Sequence, residues 1–323
     1  MPLPEKRLIA RLRAVVGKQR IHTANRVING IGDDCAVLRT ARGRDALVTT
    51  DFSIEGVHFR REWHDPESVG HRCLARGLSD IAAMGGKPVA AFLSLAVPHD
   101  LPQSWVDRFA RGLLDLARKH TVELAGGDTS QSPDGVLADI FVVGTVPRGM
   151  AVLRSSARPG DRIFVSGELG GSAAAVRQMM RSGKKVRPDE FDRHFYPQPR
   201  IELGRILREK KMASAMIDTS DGLSTDLAHI CEESGVGAEL ESALIPCARV
   251  GRPSRKVALD LALHGGEDYE LLFTARPATR IPGKIAGTKI TQIGSIIRGN
   301  KILLRAPDGL PQNLEPHGWE HFH

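Results

Sequence analysis

The 323-residue sequence is poor in cysteine and aromatic residues, and it has no long apolar segment. Its four cysteines form no C-x-x-C pair and lack a short spacing to histidine, which argues against zinc and favours reduced thiols in the cytoplasm. No apolar run approaches the roughly 20 residues that cross a bilayer. The first residues also lack the continuous apolar block of a signal peptide. We therefore expect a cytoplasmic protein with no membrane partner.

The scarcity of aromatic residues also bears on nucleic acid binding. The net charge is +7, but the basic residues are spread along the chain, and only two tyrosines and three tryptophans are present for base stacking. We expect no nucleic acid partner. The positive charge is better suited to a polyanionic small substrate.

The common phosphate-binding and protease signatures are missing as well. The sequence has no G-x-x-x-x-G-K-[ST], no protein-kinase catalytic loop and no H-E-x-x-H. Gly85, Gly86 and Lys87 run directly into Pro88, which does not fit a P-loop. Phosphate chemistry in this chain must therefore use another arrangement.

What is present is an alternation of apolar, β-branched runs with longer amphipathic stretches, typical of the α/β (α+β) class. The predicted strands include DALVTTDFSI, PVAAFLSLAVP, TVELAGGD and ADIFVVGTV, and residues 66–84 and 103–120 are predicted helices. Pro147, Pro159 and two glycines interrupt this pattern before the run RIFVSG. We predict two α/β domains, at residues 1–148 and 149–323. The charged segment 181–200 is predicted to be a surface helix and loop.

Aspartates recur where apolar runs end. They form five clusters: Asp33 and Asp34; Asp51; Asp80; Asp128; Asp218 and Asp221. Any one of them alone fits a helix cap or a turn residue. Five such clusters, with hydroxyls and glycines beside them, favour magnesium and phosphate chemistry, because Mg²⁺ prefers carboxylate, water and phosphate oxygens.

Two glycine-rich turns leave alternatives open. Residues 167–172, between a strand and an alanine-rich helix, fit either a phosphate cradle or an ordinary strand-to-helix turn. Residues 265–270 fit either a hairpin turn or a pocket wall in which Glu267 and Asp268 form hydrogen bonds.

Eight ordered motifs, taken together, resemble the thiamine-monophosphate kinase family. They are I-G-D-D-C-A (31–36), T-T-D (49–51), E-G-V-H-F (55–59), L-S-D-I-A-A-M-G (78–85), G-G-D-T (126–129), R-S-S-A-R-P-G-D (154–161), D-T-S-D-G-L (218–223) and G-G-E-D-Y-E-L (265–271). The resemblance runs nearly end to end. It implies two α/β domains with ATP bound in the cleft between them, and a homodimer formed through the first sheet.

The resemblance also implies a reaction, the Mg²⁺-assisted in-line transfer of a phosphoryl group from ATP to thiamine monophosphate, which yields thiamine diphosphate. A phosphate acceptor is already ionised near neutral pH, so positioning and charge neutralisation suffice without a strong general base.

The matching positions imply roles for individual residues. Magnesium ligands, several ions being expected, are Asp34, Thr49, Thr50, Asp51, Asp80, Asp128, Asp218 and Asp221, of which Asp51, Asp80, Asp128 and Asp221 are the expected catalytic carboxylates. ATP is expected at Gly127, Asp128, Arg154 and Ser220, and the thiamine end at His58, Glu267 and Trp319. A packed or capping role is the alternative for His58. Trp319 stands where many members carry tyrosine or phenylalanine. Asp33 is expected to shape the turn that presents Asp34.

Three alternatives remain. Relatives in the same superfamily use other acceptors, as in selenophosphate synthetase and a hydrogenase-maturation protein, and a non-catalytic nucleotide-binding protein is the third. A reactive early cysteine would favour the first, but Cys35 is expected to be packed. The second would carry a cysteine at its C-terminal end, and no cysteine follows Cys247. A non-catalytic protein would tolerate the loss of motif aspartates, and none is lost here.

Overall fold

The computed structural model describes residues 7, 10, 27–29, 33–40, 43–307 and 309–318. The first sheet contains β1 (Val27–Asn29), β2 (Ala36–Arg39), β3 (Arg44–Ile54), β4 (Lys87–Pro98), β5 (Glu123–Ser132) and β6 (Leu137–Pro147). The strand order is β1-β2-β3-β6-β4-β5. Neighbours are antiparallel except β4 and β5, which are parallel.

Two helices, α1 (Pro66–Ala83) and α2 (Gln103–His120), cover one face of this sheet. Proline at the start of α1 fits the first helical turn, where no backbone N–H is required. The helices approach closely at Gly70, where a β-carbon would lie 1.9 Å from the Phe109 carbonyl oxygen. Most of α1 is buried, so this helix forms the centre of the molecule.

The second sheet contains β7 (Arg162–Ser166), β8 (Ala215–Asp218), β9 (Gly237–Glu241), β12 (Leu271–Ala275), β13 (Lys284–Ile285), β14 (Thr288–Ile297), β15 (Ile302–Arg305) and β16 (Pro311–Asn313). Its order is β16-β15-β9-β14-β7-β12-β8, and β13 pairs with β14. Strands β10 (Arg249–Val250) and β11 (Arg255–Lys256) form a separate pair. The helices are α3 (Gly171–Ser182), α4 (Asp192–Phe195), α5 (Ile201–Glu209), α6 (Leu223–Ser234) and α7 (Leu259–His264).

Helix α1 belongs to both halves of the molecule. Leu78 and Ile81 pack into the core beneath the first sheet. The next two residues, Ala82 and Ala83, pack with residues of the second half that include Leu203 of α5. The end of α1 is therefore held at the junction of the two domains.

The prediction of a surface segment at 181–200 is wrong in part. Phe191 and Phe195 are buried in a small apolar cluster with Met179 of α3, and His194 is also buried. Burial of two phenylalanines outweighs the local density of charge and prolines, because each removes a large apolar area from water.

No described helix or strand covers the face of the first sheet opposite α1 and α2. Phe52, Val89 and Phe141 are exposed on it, and the rings of Phe92 and Phe141 meet edge to face with centroids 5.8 Å apart. Edge strand β5 is exposed over nearly its whole length. Among the described residues, every helix is too short or too polar to span a bilayer.

Candidate active site

Three carboxylates from distant parts of the chain meet at the junction of the domains. Asp34 precedes β2, Asp80 lies in the last turn of α1, and Asp218 ends β8. One oxygen of each lies within 4.8 Å of the others. We call Asp34, Asp80 and Asp218 the carboxylate triad. Both domains contribute to it, as expected for a site in the cleft between them.

Neighbouring donors fix the triad. The Asp80 carboxylate accepts a hydrogen bond from the Thr49 hydroxyl, and Asp218 accepts one from Ser79 at 2.6 Å. Arg154 donates from Nε and a terminal nitrogen to the two oxygens of Asp34, at 3.1 and 3.0 Å. This bidentate geometry gives the strongest form of such a pair.

Asp33 has the role predicted for it. Its carboxylate accepts hydrogen bonds from the backbone N–H groups of Asp34 at 3.1 Å and Arg154 at 3.2 Å, and from the Asn29 side chain at 3.2 Å. Asp33 thus ties the turn to the Arg154 segment, which confirms that it shapes the loop. Burial, followed by the charge of Asp34, raises the pKa of Asp33 to about 7.

The triad is electrostatically incomplete without a cation. Burial and then the neighbouring carboxylates raise the pKa values of Asp80 and Asp218 well above the usual range. Nearby Asp51 has a buried Oδ2 atom with no hydrogen-bond partner among the described residues, and burial raises its pKa too. The donors are all oxygen, which fits Mg²⁺ better than a softer metal. These residues therefore fit a divalent cation, which would supply the missing positive charge.

Strand β3 divides the predicted ligands between two faces of the sheet. Thr49 and Asp51 alternate with Thr50, because successive side chains on a strand point to opposite sides. Thr49 and Asp51 face α1. The Thr50 side chain lies on the opposite face of the sheet, where its hydroxyl donates a hydrogen bond to Asp139 at 2.6 Å. The side chain of Thr50 is thus not brought to the triad. Asp139 was missed by the sequence analysis.

Gly127 and Asp128 lie on the exposed edge strand β5, apart from the triad. Asp128 pairs in register with Ser94 of β4, and its Oδ1 accepts a hydrogen bond from the Thr129 N–H at 2.9 Å. A β-carbon on Gly127 would lie 1.8 Å from the Leu93 carbonyl oxygen, so the close pairing of β4 and β5 requires glycine there.

The first turn of α6, directly after the loop 219–222, contains a further carboxylate that none of the predicted roles includes. Asp226 is buried. One of its carboxylate oxygens accepts the Gly222 N–H at 3.0 Å, and the other has no hydrogen-bond partner in the part of the chain that the structure describes. Burial, then Asp221 and Asp218, raise its pKa well above the usual range. Ser220 in the same loop accepts the Glu267 N–H at 2.7 Å through its carbonyl. Asp226 is the third aspartate of the run D-T-S-D-G-L-S-T-D (218–226), and this spacing could have indicated it from the sequence.

Glu267 lies between two arginines of α1. Its carboxylate accepts a hydrogen bond from Arg72 at 2.7 Å and is 3.7 Å from a terminal nitrogen of Arg76. Burial alone would raise the pKa of Glu267, but Arg72 and Arg76 lower it to about 2. The His58 carbonyl accepts from Arg72 at 3.2 Å, and its Nδ1 accepts the Ile54 N–H at 3.0 Å. Trp319 lies outside the described residues.

The side chain of Asp268 occupies the glycine-rich turn at 167–172. Asp268 accepts hydrogen bonds from the N–H groups of Gly170 and Ser172, at 2.5 and 3.2 Å, at the start of α3. A carboxylate is stabilised there by the exposed N–H groups and the helix dipole. The structure therefore favours the strand-to-helix interpretation over the phosphate cradle.

Comparisons with known proteins agree with this architecture. Residues 32–146 match the family "AIR synthase related protein, N-terminal domain", and residues 158–302 match the corresponding C-terminal domain. The fold and the site at the domain junction thus define a protein of the AIR synthase related class. Hydrogenase maturation protein HypE, at 17% identity and a TM-score of 0.69, shares this fold.

Within this class, the chain is more similar to thiamine-monophosphate kinases. The chain is 38% identical over 305 residues to thiamine-monophosphate kinase of Escherichia coli K12, covering 91% of both proteins. It is 35% identical to the enzyme of Bacillus subtilis, covering 91% of this chain and 93% of that protein. A solved structure described as "AaThiL complexed with AMPPCP and TMP" matches 100% of this chain and 99% of its own, with 34% identity and a TM-score of 0.84. The chain belongs to the thiamine-monophosphate kinase family.

Proposed function

We propose that this protein transfers the terminal phosphoryl group of ATP to the phosphate of thiamine monophosphate, forming thiamine diphosphate. The observation that carries the proposal is the carboxylate triad at the domain junction in a chain of this family. A related structure holds an ATP analogue together with TMP, which supports the same pair of substrates here.

In the proposed mechanism, the acidic residues bind cations and need not transfer protons. Asp34, Asp80 and Asp218, with Thr49, Asp51 and Asp221 beside them, would hold Mg²⁺, and the bound ions would neutralise the phosphate oxygens of both substrates. Thr50 and Asp128 are separated by strands β6 and β4, so each is proposed as a ligand of a separate further ion. The acceptor oxygen is already ionised near neutral pH, so rate enhancement rests on alignment and charge neutralisation.

The remaining roles follow the same scheme. We assign ATP to Gly127, Arg154 and Ser220, because the Arg154 guanidinium borders the triad and suits polyphosphate oxygens. The thiamine end is assigned to His58, Glu267 and Trp319. A carboxylate that stays ionised, as the lowered pKa of Glu267 indicates, suits a cationic or amino-substituted ring.

We also propose a homodimer formed through the uncovered face of the first sheet. That face exposes Phe52, Val89 and Phe141, and apolar patches of this kind are typical of protein interfaces. The occupant would be a second copy of the same face. Four free, buried cysteines and the use of ATP support a cytoplasmic location.

A turnover assay tests the function. Purified protein with ATP and Mg²⁺ is given thiamine monophosphate, thiamine or an aminoimidazole ribonucleotide precursor, and ADP and the phosphorylated product are measured. We expect thiamine diphosphate only from the monophosphate. ATP binding without this product would show that the family's nucleotide site is kept but that the acceptor is different.

A further inference from the structure

Three charged residues follow one another along α1 at intervals of four. Arg72, Arg76 and Asp80 lie on the same face of the helix, because residues four apart are neighbours on its surface. Asp80 belongs to the triad, and Arg72 bonds to Glu267. At about 1.5 Å per residue, Arg76 lies roughly 6 Å along the axis from each of them. Arg76 therefore stands between the triad and the glutamate assigned to thiamine.

Arg76 is held between two carboxylates but bonded to neither. Its Nε atom is 3.9 Å from Asp51 Oδ1, and a terminal nitrogen is 3.7 Å from Glu267 Oε1, both beyond hydrogen-bonding distance. The side chain is 17% exposed, and Nε is buried without a hydrogen-bond partner in the described part of the chain. A buried N–H without an acceptor is unfavourable and therefore calls for an explanation.

The neighbouring arginines, Arg72 and Arg154, donate hydrogen bonds to groups of the protein. Arg72 donates to Glu267, to the His58 carbonyl and to the His194 carbonyl, and Arg154 donates to both oxygens of Asp34. These two side chains are positioned by protein groups. Arg76 has the charge and the unused donor, beside the site where phosphate chemistry is proposed.

We propose that Arg76 binds the phosphate of the acceptor substrate and so determines the preference for thiamine monophosphate over thiamine. This inference rests on the proposed function. The acceptor phosphate must lie beside the triad for in-line transfer, while the thiamine rings extend towards Glu267. The guanidinium between these two points faces the phosphate, and its planar N–H groups match phosphate oxygens.

The test compares two ligands that differ only in the phosphate. Dissociation constants of thiamine monophosphate and thiamine are measured by titration calorimetry with Mg²⁺ and without ATP, for the wild type and Arg76→Met. Methionine keeps much of the apolar stem but has no charge or donor. We expect thiamine monophosphate to bind about tenfold to a hundredfold more weakly, and thiamine to change by less than about threefold.

Arg72→Lys is the matched control on the same helix face. Because Arg72 positions Glu267, this variant should weaken both ligands by the same factor, leaving their ratio unchanged. Arg76→Lys keeps the charge and should lose only part of the preference for the monophosphate. This variant also provides the test if Arg76→Met does not fold. In turnover, Arg76→Met should raise KM for thiamine monophosphate and leave KM for ATP unchanged.

Equal weakening of both ligands in the Arg76 variants would overturn the inference, because Arg76 would then only support Glu267. In that case the wild type would still make thiamine diphosphate, and the proposed function would stand. A wild type that neither binds the monophosphate nor converts it would overturn the proposed function, and this inference with it.

Discussion

Replacing Asp218 with asparagine should stabilise the metal-free protein while abolishing its activity. Asparagine has nearly the same shape, and its amide oxygen can still accept the hydrogen bond from Ser79, now 2.6 Å from Asp218. What changes is the charge. Any change in the stability of the variant therefore reports the electrostatic repulsion between the triad carboxylates and not a change in side-chain packing.

The size of the effect follows from the geometry. At 4.8 Å and an effective dielectric constant of roughly 20, two carboxylates repel by about 3.5 kcal/mol. After burial, the charge of Asp34 contributes most to the raised pKa of Asp218, and Arg154 offsets only part of it. Protonation limits this cost, because protonating a carboxylate of ordinary pKa at pH 7 requires about 4 kcal/mol. We expect a gain of about 2 to 3 kcal/mol in the free energy of unfolding.

Thermal unfolding in EDTA at neutral pH is the assay. For a chain of 323 residues that unfolds as one unit, a gain of this size should raise Tm by roughly 3 to 4 °C. Mg²⁺ should raise the Tm of the wild type, because it binds only the folded site, and should raise that of Asp218→Asn far less. Turnover of the variant should fall by more than about a hundredfold.

Asp161→Asn is the matched control in the same domain. Asp161 is buried but paired with Arg276 at 2.7 Å, so losing its charge leaves a cation with a weaker partner. This control should be destabilised. If Asp218→Asn were also destabilised in EDTA, or if it kept the full response to Mg²⁺, the interpretation of the triad as a cation site would be refuted.

The same repulsion sets the pH dependence of the metal-free protein. The folded-state pKa values of Asp80 and Asp218 are raised, so the folded protein binds protons more tightly than the unfolded chain. Stability is then full below the unfolded pKa near 4 and is lost as pH rises towards the raised folded values. In EDTA, the wild type should lose stability as the pH rises above about 4, and Asp218→Asn should lose less.

Three further variants test the other assignments. Asp128→Asn should change stability by less than about 0.5 kcal/mol, because the side chain is exposed, yet remove nearly all turnover; a wild-type rate would exclude Asp128 from the metal site. Glu267→Gln should raise the apparent KM for thiamine monophosphate and spare that for ATP, and unchanged KM for the acceptor would contradict its role. Phe141→Asp should yield monomers by light scattering, whereas Met180→Asp, at a more exposed apolar position on α3, should not; dimers in both would contradict the proposed interface.

The first domain followed largely from local sequence signals. Helix α2 is observed at Gln103–His120 as predicted, and α1 ends at Ala83, one residue before the predicted end. Strong apolar periodicity and the proline that begins α1 explain this agreement. Strand β5 extends to Ser132, beyond the predicted Asp128, because pairing with β4 continues there. Pairing with another strand is a tertiary effect that the segment itself does not show.

The sequence predicted which types of residue form the candidate site, but not which of those residues lie together in space. The aspartate motifs identified Asp34, Asp80 and Asp218, yet nothing local shows that these three meet and that Asp128 stays apart from them. The alternation of β3 did carry one usable signal, since it separates Thr50 from Thr49.

The start of α3 shows why such grouping decides function. A glycine-rich turn followed by a helix offers N–H groups that suit phosphate, and Gly170 and Ser172 do point their N–H groups at an anion. The anion is the carboxylate of Asp268, 98 residues later in the chain, and burial raises its pKa to about 7. A phosphate at this turn would have to displace Asp268, which no local motif could reveal. This favours the proposed position of the nucleotide at the triad, where a phosphate with its cation would relieve the repulsion between carboxylates.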